Sequence, residues 1–105
     1  MLQIKDMWHN IAIDWTPSEN GGRKSIPPAD RYFCVSKFPN DKTRGGTWSV
    51  EFVLLQHDLN KSPPKSIGRC RFLTTDAPQN NFKQFSNFEI YEGPKLVGKV
   101  DILSD

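Results

Sequence analysis

Turn-forming residues interrupt this chain so often that no long element fits between them. They fall at residues 17–22, Pro27-Pro28, Pro39-Asn40-Asp41, Gly45-Gly46, Ser62-Pro63-Pro64, residues 77–81 and Gly93-Pro94. Each supplies a preset φ, a tolerated positive φ or a local side-chain hydrogen bond. Between them apolar residues recur at every second position, the period of a half-buried strand. In Thr47-Trp48-Ser49-Val50-Glu51-Phe52-Val53-Leu54 the side chains of Trp48, Val50, Phe52 and Leu54 share one face. Ile11, Ile13 and Trp15 make a similar stripe over residues 9–15. Residues 31–38 set Tyr32, Cys34, Ser36 and Phe38 against Arg31, Phe33, Val35 and Lys37, so both faces are partly apolar. Further strands are predicted over residues 67–74, 88–91 and 96–103. Helix has almost nowhere to form. Six short strands with eight prolines and seven glycines mostly outside them predict an all-β sandwich or a closed barrel, and closure also removes exposed edges.

A chain of 105 residues suffices for one domain with one core. Seven Phe, three Trp and two Tyr supply large pieces of it. The formal charge of +2 is too small to argue for a nucleic-acid partner, so such a claim must rest on where the cations sit. The longest apolar run, around residues 52–55, falls far short of the roughly 20 residues that cross a bilayer. Residues 1–6 lack the pattern of a secretory signal, and the expected location is cytoplasmic. Cys34 and Cys70 fall in predicted strands among apolar residues, where reduced cysteine behaves as a small core side chain.

Residue types that carry chemistry are sparse. The chain has no Gly-x-x-x-x-Gly-Lys-Ser/Thr run to cradle a nucleotide's phosphates. His9 and His57 are isolated, and the cysteines lack a Cys-x-x-Cys spacing. Neither a cofactor nor a metal is expected, and no serine or cysteine is marked as a nucleophile beside an oriented base. The expectation is a non-catalytic domain.

The run Glu19-Asn20-Gly21-Gly22-Arg23-Lys24-Ser25, followed by the aromatic strand around Tyr32 and Phe33, resembles the opening of the C-terminal barrel of elongation factor Tu. Near the other end, Phe88-Glu89-Ile90-Tyr91-Glu92-Gly93-Pro94-Lys95-Leu96-Val97-Gly98-Lys99-Val100 resembles that barrel's last hairpin. The two blocks stand in the same order, and the resemblance spans roughly residues 9–103. It implies a single six-stranded antiparallel closed β-barrel, here as a stand-alone domain without the parent's GTPase domain. In the parent factor this module packs against other domains and touches the acceptor-side helix of aminoacyl-tRNA. By the same resemblance Arg23, with Gly22 before it, corresponds to the arginine that reaches the tRNA backbone, and Glu92 and Gly93 to a pair near the same stem. The sequence departs from the pattern in two places. Lys24 stands where histidine is common, and Pro94 stands where a second glycine is usual, removing a backbone N–H that a phosphate would use.

The Gly21-Gly22 pair needs no ligand to explain it, since a tight turn selects glycine anyway. Two cations directly after it are not required by a turn. Arg69 and Arg71 share one strand face, with Lys37 on a possible neighbour, and would extend a basic strip. Trp8, at the first edge of the matched region, is read as an exposed aromatic anchor. Two functions follow as expectations. The first is a protein-binding module that uses the barrel-rim turns. The second is a tRNA-like backbone binder that uses Arg23, Lys24 and the Glu92-Gly93 hairpin. Small net charge and Pro94 favour the first.

Overall fold

The computed structural model describes residues 8–27, 30–39, 47–74 and 76–103. The turns read at Pro28, Asn40-Asp41 and Gly45-Gly46, and the N-terminal residues 1–6, lie outside these. Six strands are present: β1 (His9–Trp15), β2 (Arg31–Lys37), β3 (Thr47–Asp58), β4 (Lys65–Phe72), β5 (Asn87–Glu92) and β6 (Lys95–Ile102). All pair antiparallel, in the closed order β1-β4-β3-β2-β5-β6. The expected six-stranded antiparallel closed barrel is therefore what the chain forms. Consecutive strands β2, β3 and β4 form a meander, with β1 beside β4 and β5 beside β2, so two Greek keys overlap.

The alternation seen in the sequence is the inside–outside pattern of the barrel wall. Ile11, Ile13, Val50, Phe52, Cys70, Phe88, Ile90 and Val100 are inward and sealed from solvent. Inward Ser36 is also fully buried, and its hydroxyl donates to the Trp48 carbonyl at 2.9 Å, which removes the cost of a polar group there. Both cysteines are free thiols. Burial pushes each well above its ordinary range and keeps the neutral form. Over residues 31–38 the ambiguity resolves in favour of Tyr32 and Phe38, which are buried, while Phe33 points outward and is 54% exposed.

Two β-bulges set the wall's curvature. In β3 the pairing with β4 runs Leu54↔Gly68 and then Gln56↔Ile67, so Leu55 is the extra residue. In β6 the pairing with β5 runs Ile90↔Gly98 and then Tyr91↔Leu96, so Val97 is extra. A bulge bends the strand and increases its local twist. At the first bulge the backbones approach so closely that a Cβ on Gly68 would lie 2.1 Å from the Val53 carbonyl oxygen, which leaves room for glycine alone.

One barrel end is plugged by aromatics. The short helix α1 (Asn81–Gln84) forms where the sequence predicts only a turn, and it inserts Phe82 into the opening. Phe38 lies at the centre of this plug, stacked on Phe88 at 4.4 Å between ring centroids and touching Phe72, Phe82 and Phe85. His9 stacks on Phe82 at 4.1 Å. Because Phe38 is 2% exposed, truncating it to alanine is expected to cost about 3–5 kcal/mol. Urea denaturation of Phe38→Ala measures this, and a loss below about 1 kcal/mol would mean that the plug does not hold the fold.

Candidate functional site: the barrel rim and the outer wall

Opposite the aromatic plug, the turn after β1 and the β5–β6 turn meet at one rim. After Trp15 the chain leaves the wall. The Thr16 amide donates to Val97, and a single 3-10 turn over Ser18–Asn20 brings the Gly22 amide back to the Pro17 carbonyl at 3.0 Å. Gly21 takes the positive φ, +90°, that the sequence led us to expect of the pair. Gly22 is glycine for another reason, since a Cβ there would lie 1.9 Å from the Thr16 carbonyl oxygen. Gly93 sits in the β5–β6 turn with φ +59°.

This folding delivers Arg23 to Glu92, 69 positions away. The Arg23 guanidinium pairs with Glu92 Oε2, which also accepts a hydrogen bond from the Tyr32 hydroxyl. Arg23 Nε donates to the Ser25 carbonyl at 3.0 Å, and its guanidinium lies 5.5 Å from the centroid of the Tyr32 ring. Burial alone would push the Glu92 carboxyl up, but hydrogen bonds from Tyr32 and Arg23 and the charges of Arg23 and Lys95 outweigh it and hold it below its ordinary range. The Tyr32 phenol moves the other way. Its burial and its bond to Glu92 raise it well above its ordinary value, so it remains a donor.

Beside this triad lies a cleft of about 210 Å³ lined by Trp15, Pro17, Arg23, Lys24, Ile26 and Pro64 among others. Lys24 is exposed at its edge. Beneath it, fully buried Ser66 accepts from Trp15 Nε1 at 2.7 Å and contacts His57 Nδ1 at 2.6 Å. Ser66 thereby links the Trp15 indole to the His57 ring through one hydroxyl. Buried as it is, Ser66 Oγ offers no attack path to a substrate. A second cleft of about 300 Å³ lies among Lys37, Phe38, Asn87, Phe88, Glu89 and Lys99, and a third of about 160 Å³ among Gln56, Asp58, Lys61, Lys65 and Ile67. Among the described residues no three His, Cys, Asp or Glu side chains converge as a metal site, and no helix is long and apolar enough to cross a membrane.

The remaining predicted residues lie on the outer wall, with two corrections. Arg69 and Arg71 do share the outer face of β4, but Lys37 does not extend their strip, because β3 separates β2 from β4 and Lys37 stands opposite Glu89 of β5. Trp8 is not a free anchor. It is half-buried, with the Arg71 and Arg69 guanidinium groups 4.6 and 5.5 Å from the centroid of its ring. The sequence reading missed Glu51. It points outward from β3 yet is 1% exposed, because Arg71 and Arg31 close over it. Arg71 stands directly opposite in the register and donates from Nε to Oε1 at 3.0 Å. Arg31, diagonally across on β2, pairs with Oε2. A carboxylate so enclosed requires its cations. Only strand order reveals the meeting, and alternation alone does not supply strand order.

The class defined by these observations is an all-β closed barrel with one plugged end, one charged rim and an arginine-bearing wall. Compared with models of protein families, with curated proteins and with solved structures, the chain matches none of them.

Because its folded carboxyl sits lower than its unfolded one, Glu92 contributes stability that is fully present above the ordinary value of 4.5 and is lost as pH falls through the lower folded value. Wild-type protein is therefore expected to be more stable than Glu92→Gln at neutral pH, with the gap closing at acid pH. Urea midpoints of both proteins across that range measure the gap, and one that stays constant with pH would contradict the triad.

Proposed function

We propose that the barrel is a non-catalytic binding module whose rim, formed by residues 21–25 and the β5–β6 turn, takes a protein partner. The observation that carries this reading is the Arg23–Glu92 pair. A guanidinium already held by a carboxylate, a tyrosine ring and the Ser25 carbonyl has little left for a phosphate. The adjacent cleft is walled by Trp15, Pro17, Ile26 and Pro64 with Lys24 at its edge. Such a mixed apolar and cationic groove suits an extended protein segment carrying an acidic side chain. The resemblance to the elongation factor Tu C-terminal barrel suggests where partners lie, among proteins that bind the parent factor, with this chain acting as mimic or competitor in the cytoplasm.

A second reading, binding of a tRNA-like backbone, is supported by one observation. The two blocks that carry the resemblance, Gly22-Arg23 and Glu92-Gly93, converge on one rim. Against it stand the neutralised arginine and the N–H missing at Pro94. Few phosphates would be engaged, and the salt dependence would be shallow.

A photo-crosslinker at Ser25, used in native extract, is expected to yield a discrete protein adduct that survives ribonuclease and falls about ten-fold in Lys24→Glu. Adducts abolished by ribonuclease, with salt-sensitive tRNA binding lost in Arg23→Ala/Lys24→Ala, would overturn the protein reading in favour of RNA.

A further inference from the structure

The outer wall gathers arginines at one place. Where β2, β3 and β4 lie side by side, Arg31, Arg69 and Arg71 surround the carboxylate of Glu51 on the outward face. One carboxylate shared by two arginines, with Arg69 beside them, leaves this cluster a local net charge of +2, unlike the rim, where one carboxylate answers one arginine. The field is concentrated on one side, and an anionic partner is what it would attract.

Three further features narrow the partner. Glu51 holds Arg31 and Arg71 side by side, and Trp8 lies against Arg71 and Arg69, so the guanidinium groups are ordered before anything binds. Arg71 engages Glu51 through Nε, and among the described residues Arg69 enters no ion pair. Phe33 stands on the same face, opposite Glu51 in the register, and is 54% exposed. None of the three clefts described above is lined by any of these side chains. A partner that anchors by inserting a side chain into one of those clefts would not use this wall. A strand with charges along its backbone and flat apolar groups beside them finds both of its needs met.

We infer that the outer wall of β2, β3 and β4 binds single-stranded nucleic acid, with Phe33 stacking on a base and Arg31, Arg69 and Arg71 contacting phosphates. A duplex keeps its bases stacked within itself and has none to offer Phe33. Three phosphate contacts on a single strand give a log–log salt slope of about −2. No residue of the rim takes part, so this surface stands or falls independently of the function proposed above.

Fluorescence anisotropy of the intact chain with labelled oligouridylate and oligothymidylate, at low and physiological salt, tests the inference. Single strands are expected to bind. Phe33→Ala should weaken binding about ten-fold or more, whereas Phe33→Trp should retain it. Arg69→Ala should weaken it and flatten the salt slope by about 0.7, and Lys24→Ala should leave it unchanged. Phe33 and Arg69 are exposed, so both variants should keep the wild-type circular dichroism and urea midpoint. Any of four results would overturn the inference: no binding at low salt, equal affinity for duplex with no effect of Phe33→Ala, preference for a polyglutamate peptide over the strands, or loss of binding in Lys24→Ala alone.

Discussion

Closure of the barrel depends on two corners. A sheet of six short strands does not meet its own edge unless it bends sharply somewhere, and here it bends at Leu55 in β3 and at Val97 in β6. Each corner has a glycine, Gly68 across from the first and Gly98 within the second. At Gly68 the neighbouring carbonyl occupies the space where a side chain would start. Once both corners turn, β6 reaches β1 with five paired positions from Ile11↔Ile102 to Trp15↔Gly98, and no strand is left as an open edge of the sheet.

The rest follows from that geometry. A closed wall has an inside, an outside and two ends, and the sequence treats each differently. One end is filled with phenylalanine. At the other, the chain on leaving β1 folds back through residues 16–25 and meets the end of β5, so that Arg23, Tyr32 and Glu92 share one oxygen. Outside, the strand order places Glu51 between two arginines from the neighbouring strands. Both polar clusters join residues far apart in sequence, and both exist only because the barrel closes in this order.

What the residues disclose in advance is the inside of the wall. Trp48, Val50, Phe52 and Leu54 announce their strand because burial on one face imposes a period of two. The same rule fails where a bulge interrupts it. Val97 and Val100 are both buried although they stand three positions apart, and β4 begins and ends two residues before the stretch that alternation marks. Helix α1 was illegible because four residues are too few to show a period, and packing of Phe82 rather than propensity forms it. At the site, the residues singled out at the rim do converge, but their charges cancel in part, which spacing along the chain could not reveal. Lys37 illustrates the converse: its strand was read correctly, but its neighbours were not, since alternation assigns a face and leaves the order of strands open.

If the corners make closure all-or-none, the first and last strands must open only with the whole barrel. Native-state hydrogen exchange measures this directly. The account predicts that amides paired between β1 and β6, such as those near Ile11, Ile13 and Val100, exchange with the same free energy and denaturant dependence as those of β3 and β4. Exchange of β1 and β6 through a separate, cheaper opening, with β3 and β4 still protected, would contradict it.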